Sequence, residues 1–536
     1  MDTIFCNGKI LTMRFRSAEE EKAQPTEAIL VRDGRIVAVG VKEKIDALSG
    51  TETETVDLGG RCLMPGFIDP HSHFIMNGST AMWADLSDCE SHDDIVETLR
   101  RYREASGNPA RIIGFGYDHN FLREGTHPDK RTLDSVSTEI PIFVMHVSFH
   151  MGCANSKVLK LAGIDASTPD PEGGRIGRIE GTQEPSGYFE ETALHQLIGG
   201  FSVRGSGGDA RMAAKMQETY LRCGITTAQD GATTAAEMQA LDKLAESGLL
   251  RMDVVAYPLM SDHGEEVMRR YEKYVGGYHG HVKIGGYKIL LDGSPQGRSA
   301  WMSRPYLGGE ENYCAYPWMS DEQAEAYIAS AIAEGKQLLA HCNGDAAAEQ
   351  FICAYEKVRE KLNGPRDLRP VMIHCQTVRN DQLDRMKALD MIASVFVGHV
   401  WYWGDIHMRN FGPERGNRIS PVRDALDRGL HVNFHQDTPV TRPDMLHSVW
   451  CAVNRISRRG TVIGAEEAIP VYAALRAVTI EGAYEYFEED TKGTIEEGKR
   501  ADLVILDRSP LEVEPMEIRN IKVCETFKDG QSVYRA

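Results

Sequence analysis

The central part of the chain, between residues 61 and 489, alternates short apolar segments with stretches of helical periodicity. This alternation is typical of parallel βα units, in which the helix after each strand packs back onto the sheet. Eight strand candidates lie at 66–73, 224–230, 252–259, 282–292, 337–341, 370–374, 391–399 and 431–437. Their number and spacing predict an α/β fold, a (β/α)8 TIM-like barrel.

Both ends of the chain carry alternating and β-branched segments, at 3–13, 28–40, 501–507 and 521–533. The Asp-Gly pairs that contain Gly34 and Gly530 supply the tight turns that β-hairpins need. Because the two ends of a domain commonly lie close together, we predict one small β-sandwich domain from residues 1–60 and 490–536. The barrel domain then spans residues 61–489.

A long insertion separates the first and second barrel strands. Residues 85–205 contain strand candidates of their own at 111–117 and 141–148. A segment of this length is too long for a single loop. We therefore predict an insertion subdomain after barrel strand 1, lying over the mouth of the barrel.

Composition limits the partners that this chain can have. Its hydrophobic content of 42% and charged content of 26% are those of an ordinary globular protein. A net charge of -19 argues against nucleic acid and anionic membranes as partners, since both bind positively charged protein surfaces. The 11 scattered cysteines indicate reduced thiols, and no signal segment or membrane span is found. We expect a cytoplasmic protein that acts on a small molecule, and a homo-oligomer is compatible with this size.

The first barrel strand candidate ends in His71-Ser72-His73. Side chains alternate along an extended strand, so the two imidazoles are expected to project from the same face. Two such imidazoles form half of a metal site. In a chain with 18 histidines an ordinary surface pair is the alternative.

Three further polar residues, His341, His374 and Asp437, lie at or near the ends of predicted barrel strands, and Lys288 opens an apolar run that ends at Asp292-Gly293. Functional groups of a parallel barrel lie where the strands lead into the following loops. Imidazole and carboxylate groups are the ligands that zinc-like ions prefer. The alternatives are a structural ion pair for Lys288, satisfied buried histidines, and a helix cap for Asp437.

This ordered set resembles the metal-dependent amidohydrolase superfamily, and the surrounding sequence is similar to its amidohydrolase family 3 branch. Segments 399–405 and 437–440 are similar to N-substituted formamide deformylases, and the resemblance extends to segment 492–503. It implies a divalent metal, most simply zinc, as one or two ions. His71, His73 and Asp437 would hold one ion, and His341 and His374 the second.

The resemblance also gives Lys288 a specific role. An ammonium group has no lone pair for a cation, but a carbon dioxide adduct would turn this lysine into an anionic carbamate that bridges two metals. A lysine in an ordinary salt bridge remains the alternative.

Weaker candidates surround this set. His399 ends a predicted strand and could polarise a carbonyl, or be structural. His150 and Asn155 match a family motif whose histidine faces the substrate. Alternation puts His431 and His435 on the face of Asp437, where they could support the ligands.

Aromatic residues after the strand ends predict an apolar substrate wall. The candidates are Tyr117, Trp401, Tyr402 and Trp403. Such a wall would accept the apolar part of a substrate. Packing between the barrel and the insertion is the alternative.

These features together predict hydrolysis of a carbon–nitrogen amide-type bond by a metal-activated water, with Asp437 carrying the proton and His399 assisting the carbonyl. The resemblance implies an N-substituted formamide as substrate. A cyclic amide, dipeptide or ester hydrolase of the same fold is the first alternative. A non-catalytic regulatory protein is the second.

Overall fold

The structure is a computed structural model that describes residues 2–50, 52–80, 82–201, 210–308, 310–362 and 367–536. Within these residues the strands are β1 (Asp2–Ile10), β2 (Thr26–Arg32), β3 (Arg35–Gly40), β4 (Glu54–Asp57), β5 (Cys62–Pro65), β6 (Phe67–Ile68), β7 (Ala84–Asp85), β8 (Ile112–Tyr117), β9 (Ile142–His146), β10 (Met151–Ala154), β11 (Gly174–Arg178), β12 (Pro185–Glu191), β13 (Ile225–Thr233), β14 (Asp253–Pro258), β15 (Val282–Ile284), β16 (Gly286–Leu290), β17 (Gln337–Cys342), β18 (Val371–His374), β19 (Ile392–Val395), β20 (Val432–Phe434), β21 (Leu503–Leu506), β22 (Val523–Lys528) and β23 (Gln531–Arg535).

The α-helices of the described residues are α1 (Ala18–Ala23), α2 (Lys42–Asp46), α3 (Phe74–Thr80), α4 (His92–Ala105), α5 (Lys130–Asp134), α6 (Ser156–Ala162), α7 (Thr192–Phe201), α8 (Ala210–Leu221), α9 (Ala235–Ser247), α10 (Gly264–Arg270), α11 (Asp321–Ala333), α12 (Asp345–Leu362), α13 (Asn380–Ala388), α14 (His399–Gly416), α15 (Val422–Asp427), α16 (Met445–Asn454), α17 (Val471–Ala477) and α18 (Ile480–Glu485). No helix in these ranges is both long enough and apolar enough to pass through a lipid bilayer.

Two parallel sheets form the centre of the molecule. One has the strand order β15-β14-β13-β6 and the other the order β16-β17-β18-β19-β20. The predicted strand at 282–292 is divided between them at Gly285, where an added Cβ would lie 2.5 Å from the ring of Tyr257. Helices follow the strands in sequence, as the pattern of βα units predicts.

Three barrel strands are shorter than predicted. β6 ends at Ile68, β19 at Val395 and β20 at Phe434, so the polar residues that follow them lie in loops or at a helix start. The backbone of Asp437 has a φ of 54°, which extended strands do not adopt. Apolar alternation marks where a strand lies, but it does not report where the backbone leaves the sheet.

The two ends of the chain meet in one sheet of order β23-β22-β21-β5-β1-β2-β3, with β4 beside β1. Gly34 and Gly530 adopt φ values of 77° and 74° in the turns of the hairpins β2–β3 and β22–β23. The sheet extends past residue 60 because β5 pairs with β21. Apolar clusters form around Phe5 and Phe527, and around Ile4 and Leu30.

The insertion forms its own sheet, in the order β11-β12-β10-β9-β8-β7. Its strands β8 and β9 are parallel and match the two predicted segments. Residues 202–205 of the predicted insertion lie outside the described residues. A hydrogen bond of 2.7 Å from Trp403 Nε1 to Asp118 Oδ2 joins the insertion to α14 of the barrel domain.

Candidate metal centre

The two histidines of the His-x-His segment converge on Asp437. The Nε2 atoms of His71 and His73 each lie 3.3 Å from Asp437 Oδ1. Donor atoms around a tetrahedral zinc ion, with bonds of about 2.0–2.1 Å, lie about 3.3 Å apart. The convergence occurs although neither histidine is part of β6, because the loop after that strand turns both rings toward the loop after β20.

A second pair of imidazoles lies beside this group. His341 and His374 come from the neighbouring parallel strands β17 and β18, and His341 Nδ1 lies 3.0 Å from His374 Nε2. The ligand atoms of His71, His374 and Asp437 all lie within 4.8 Å of one another. The structure therefore brings together residues from both halves of the predicted ligand set.

Several buried polar atoms of this group have no hydrogen-bond partner among the described residues. They are Lys288 Nζ, Asp437 Oδ1, His374 Nδ1 and both ring nitrogens of His435. An unpaired buried polar group costs about 1–3 kcal/mol, so folded proteins seldom retain one without a bound ion or water. The donor types and the unpaired atoms together fit a divalent metal.

The protonation states suit metal binding. Burial, with the charge of Lys288, lowers the pKa of His71 to about 4, which leaves its imidazole neutral. Burial works to raise the pKa of Asp437, but His374 and the contacts of His71 and His73 hold it well below its usual range. The centre therefore offers neutral imidazoles and a carboxylate, the forms that coordinate cations.

Lys288 is fully buried in β16. Burial lowers the pKa of its amine to about 7, against the opposing charge of Asp437. Its Nζ has no partner. The structural salt bridge considered for this lysine is therefore absent from the described residues.

His71 is held in place by Gln229, whose Oε1 lies 2.6 Å from its Nδ1. The same contact orients the ring so that Nε2 points at Asp437. Gly231 packs against it, since an added Cβ would lie 2.6 Å from His71 Cε1. Sequence reasoning found neither residue, because an amide in a strand and a glycine carry no ligand signal.

His399 is the first residue of α14 rather than the end of the seventh barrel strand. Its Nδ1 lies 3.0 Å from Nε2 of the buried His407, and its ring lies 4.6 Å from that of Trp403. Burial and His407 hold the pKa of His399 well below its usual value, so its ring is neutral. The contact with His407 engages Nδ1 of His399.

His150 reaches the same centre from the insertion. Its ring lies 5.1 Å from that of His341, and its Nδ1 lies 2.8 Å from Oε2 of the buried Glu191. Trp318 Nε1 donates to the same carboxylate oxygen at 2.9 Å. Burial lowers the pKa of His150, but the neighbouring carboxylate of Glu191 has the larger effect and raises that pKa above its ordinary value. Glu191 and Trp318 are site residues that the sequence did not indicate.

Three other candidates for substrate binding, Asn155, Tyr117 and Trp401, make their contacts with other parts of the described structure. Asn155 caps α6 through Val158, and its amide nitrogen donates to the carbonyl oxygens of Ser137 and Ile140. Tyr117 is fully buried within the insertion, its hydroxyl between His127 and Cys153.

Trp401 packs against Trp450 at 5.2 Å and beneath the guanidinium of Arg519. Its neighbour Trp403 packs against His399 instead. His431 likewise faces away from Asp437, bound to Glu481 at 2.7 Å.

Comparison with known proteins identifies the family. The model of the amidohydrolase family matches residues 54–534. The chain belongs to the amidohydrolase family. It is 27% identical to the putative amidohydrolase YtcJ of Bacillus subtilis over 549 residues, which cover 100% of this chain and 99% of that protein. It is 26% identical to the N-substituted formamide deformylase of Arthrobacter pascens, over 99% of this chain and 97% of the relative.

A solved structure agrees with this assignment. An uncharacterized metal-dependent hydrolase from Pyrococcus horikoshii is 25% identical, with a TM-score of 0.74 over 96% of this chain and 99% of that one. The protein is therefore a metal-dependent amidohydrolase, and the unpaired atoms around Asp437 lie where its metal chemistry is expected.

An apolar wall lies beside the centre of this amidohydrolase. Phe396 contacts His399 and His435 at ring distances of 4.7 Å and 5.2 Å. It belongs to a cluster to which both the barrel and the insertion contribute, formed by Phe396, Trp403, Ile406 and Val440 with Phe121, Val147, Phe149 and Tyr402. The last four are partly buried, so part of their apolar surface remains exposed.

Proposed function

We propose that this amidohydrolase hydrolyses an N-substituted formamide or a similar small amide to formate and a primary amine. The apolar wall that joins Phe396 to Phe149 and Tyr402 carries the proposal. Because the formyl group is small, the enzyme would distinguish such substrates by the substituent on the nitrogen. An aromatic wall binds an apolar substituent by burying its surface.

We infer that the two parallel sheets close into the (β/α)8 barrel. The backbone nitrogen of His73 donates to the carbonyl oxygen of Thr438 at 2.7 Å, which links the loop after the first barrel strand to the loop after the last. Closure would hold the donors at one end of the strands.

We further propose that His71, His73 and Asp437 hold one divalent ion, most simply zinc, and that His341 and His374 hold a second. When bound, such ions polarise a carbonyl and lower the pKa of water. The exposed amine of a surface lysine would be protonated at neutral pH, but Lys288 has a depressed pKa and is partly neutral. Its lone pair can add to carbon dioxide with loss of one proton, which would form a carbamate whose anionic oxygens could serve as metal ligands.

Side chains of the protein would carry out the proton transfer and bind the carbonyl oxygen of the substrate. Asp437 is ionised and lies against two imidazoles, so it can accept a proton from the attacking water and transfer it to the leaving amine. The free nitrogen of His399 can donate a hydrogen bond to the carbonyl oxygen of the substrate. His150, oriented by Glu191, faces the same space from the insertion.

The test is a substrate panel assayed with zinc-, manganese- and iron-loaded protein. N-benzylformamide, N-methylformamide, a hydantoin, a dipeptide and an aryl ester would be compared by release of formate or of the corresponding acid. The proposal expects the highest kcat/KM for N-benzylformamide. Preferred turnover of the hydantoin, the dipeptide or the ester would replace the formamide with that class, and would retain the metal chemistry.

A further inference from the structure

A second cluster of imidazole and carboxylate groups lies in the insertion, outside the metal centre. Asp118 and His119 follow β8, and His146 ends β9. Because these strands are parallel neighbours, their carboxyl ends meet at one edge of the sheet. The insertion thus places potential ligands as the barrel does, at the ends of adjacent parallel strands.

The donor atoms of this cluster have the spacing of a metal site. His119 Nδ1 lies 3.2 Å from His146 Nε2. Asp118 Oδ1 lies 3.4 Å from His146 Nε2 and 3.8 Å from His119 Nδ1. These separations are close to the roughly 3.3 Å between donors around a tetrahedral zinc ion. They are also similar to the distances measured around Asp437.

Charge supports a cation at this position. The side chain of Asp118 is only 9% exposed, and its ion-pair partners in the described part of the chain are His119 and His146, with no lysine or arginine among them. A buried carboxylate requires a compensating positive charge. A divalent ion bound by the two imidazoles would supply it.

The surrounding contacts suit ligands. Ser148 Oγ lies 2.9 Å from His146 Nδ1 and can accept a hydrogen bond from Nδ1–H, the tautomer that ligation through Nε2 requires. The backbone amide of Ser148 donates to the same nitrogen at 3.1 Å, so ligation through Nε2 would exchange this contact for the one to Oγ. Asp118 is oriented by Asn120 and by Trp403. The side chain of His119 is 18% exposed, which provides access for an ion and a water ligand.

We propose that Asp118, His119 and His146 form a further divalent-metal site of zinc type, separate from the centre around Asp437. The ion would bind the insertion sheet and, through the hydrogen bond from Trp403 to Asp118, would hold it against α14. This role is structural, because the helix carries His399 at its start and the ion would fix the insertion above it.

The experiment measures zinc per chain in the full-length protein by mass spectrometry after gel filtration. The variants are His119→Gln and the near-isosteric Asp118→Asn. His431→Gln is the matched control, because this histidine is partly exposed and paired with Glu481, away from both sites. We expect both site variants to lose one equivalent of zinc, and the control to retain the wild-type content.

Anomalous scattering at the zinc edge from crystals of the wild-type protein provides a measurement that no folding defect can obscure. A peak between Asp118, His119 and His146 supports the proposal, whatever is found around Asp437. Peaks at the barrel centre alone, or unchanged zinc content in both site variants, would overturn it and leave a hydrogen-bonded triad only.

Discussion

The Nε2 atom of His71 lies 3.3 Å from Oδ1 of Asp437, although the two residues follow β6 and β20, which belong to different parallel sheets. Their contact closes the group of side chains on which the metal chemistry depends.

Replacing Asp437 with Asn should lower kcat by about 10²–10⁴-fold, the usual contribution of a positioned proton carrier. It should also lower the bound metal. Turnover of the preferred amide and metal content are the measurements, with His431→Gln as the control, and wild-type values for both in Asp437→Asn would refute the assignment.

Lys288 should depend on carbon dioxide. Its Nζ is buried with no hydrogen-bond partner in the part of the chain that the structure describes, and its pKa is lowered to about 7, so we expect the amine to form a carbamate. Protein purified in carbon-dioxide-free buffer should lose activity and recover it with bicarbonate, and ¹³C-bicarbonate should give a carbamate resonance. Lys288→Ala should be inactive but partly restored by short carboxylic acids. An equally active enzyme that gives no such resonance would exclude the adduct.

Glu191 should control the pH dependence through His150. The carboxylate raises the pKa of His150, so it extends the protonated form to higher pH. Glu191→Gln removes that charge, and the alkaline limb of kcat/KM should then move to lower pH. A change of about one pKa unit would reduce activity about 10-fold on that limb. The measurement is kcat/KM of Glu191→Gln across the full pH range. A profile that is lower at every pH but keeps the same midpoint would indicate that Glu191 has a purely structural role.

The aromatic wall should discriminate between substituents. Phe149 lies in the cluster beside Phe396, whereas Trp401 packs against Trp450. Phe149→Ala should lower kcat/KM for N-benzylformamide by about 10-fold or more, because apolar contact is lost, and should spare N-methylformamide. Trp401→Ala serves as the matched aromatic control and should leave the ratio unchanged. Equal losses for both substrates would place the substituent elsewhere.

A buried ion network should set the stability of the junction between the terminal sheet and the barrel. Asp253 lies 2.6 Å from Lys492 and 3.0 Å from Lys528, and all three are buried. Asp253→Asn removes one partner from each ammonium group, while Glu488 still pairs with Lys492 and Asp502 with Lys528, and should lower the free energy of unfolding by about 1.5–3 kcal/mol. Denaturant unfolding measures it, and Asp2→Asn, which breaks the more exposed pair with Arg32, should have a much smaller effect.

The same network predicts a pH window. Burial by itself would raise the pKa of Asp253, but Lys492 and Lys528 hold that pKa well below its usual range. The stabilisation that the Asp253 carboxylate gives to the fold is therefore lost as pH falls below about 4. Burial by itself would lower the pKa of Lys492, but Asp253 and Glu488 raise it above its usual value. The stabilisation from the Lys492 ammonium group is therefore lost as pH rises above about 10. Unfolding measured across this range should show a plateau between the two limits, and the plateau should shrink in Asp253→Asn.

Two site predictions show where sequence reasoning reaches its limit. Trp401 and Trp403 are two positions apart on α14, which at 3.6 residues per turn points them to different sides of the helix. Sequence alone could not decide which side faces His399. Glu191 was missed for a related reason, since a single acid at the end of a strand shows which residue it contacts only once the insertion is folded.

The amino-acid sequence by itself determined the alternation of strands and helices and the polar residues at or after the strand ends, because both are local patterns set by backbone geometry and burial. Tertiary structure alone decided where the strands stop, which aromatic ring faces the centre, and which carboxylate or amide orients each imidazole. These are contacts between segments distant along the chain, and their geometry depends on how the loops leave the sheets and pack together.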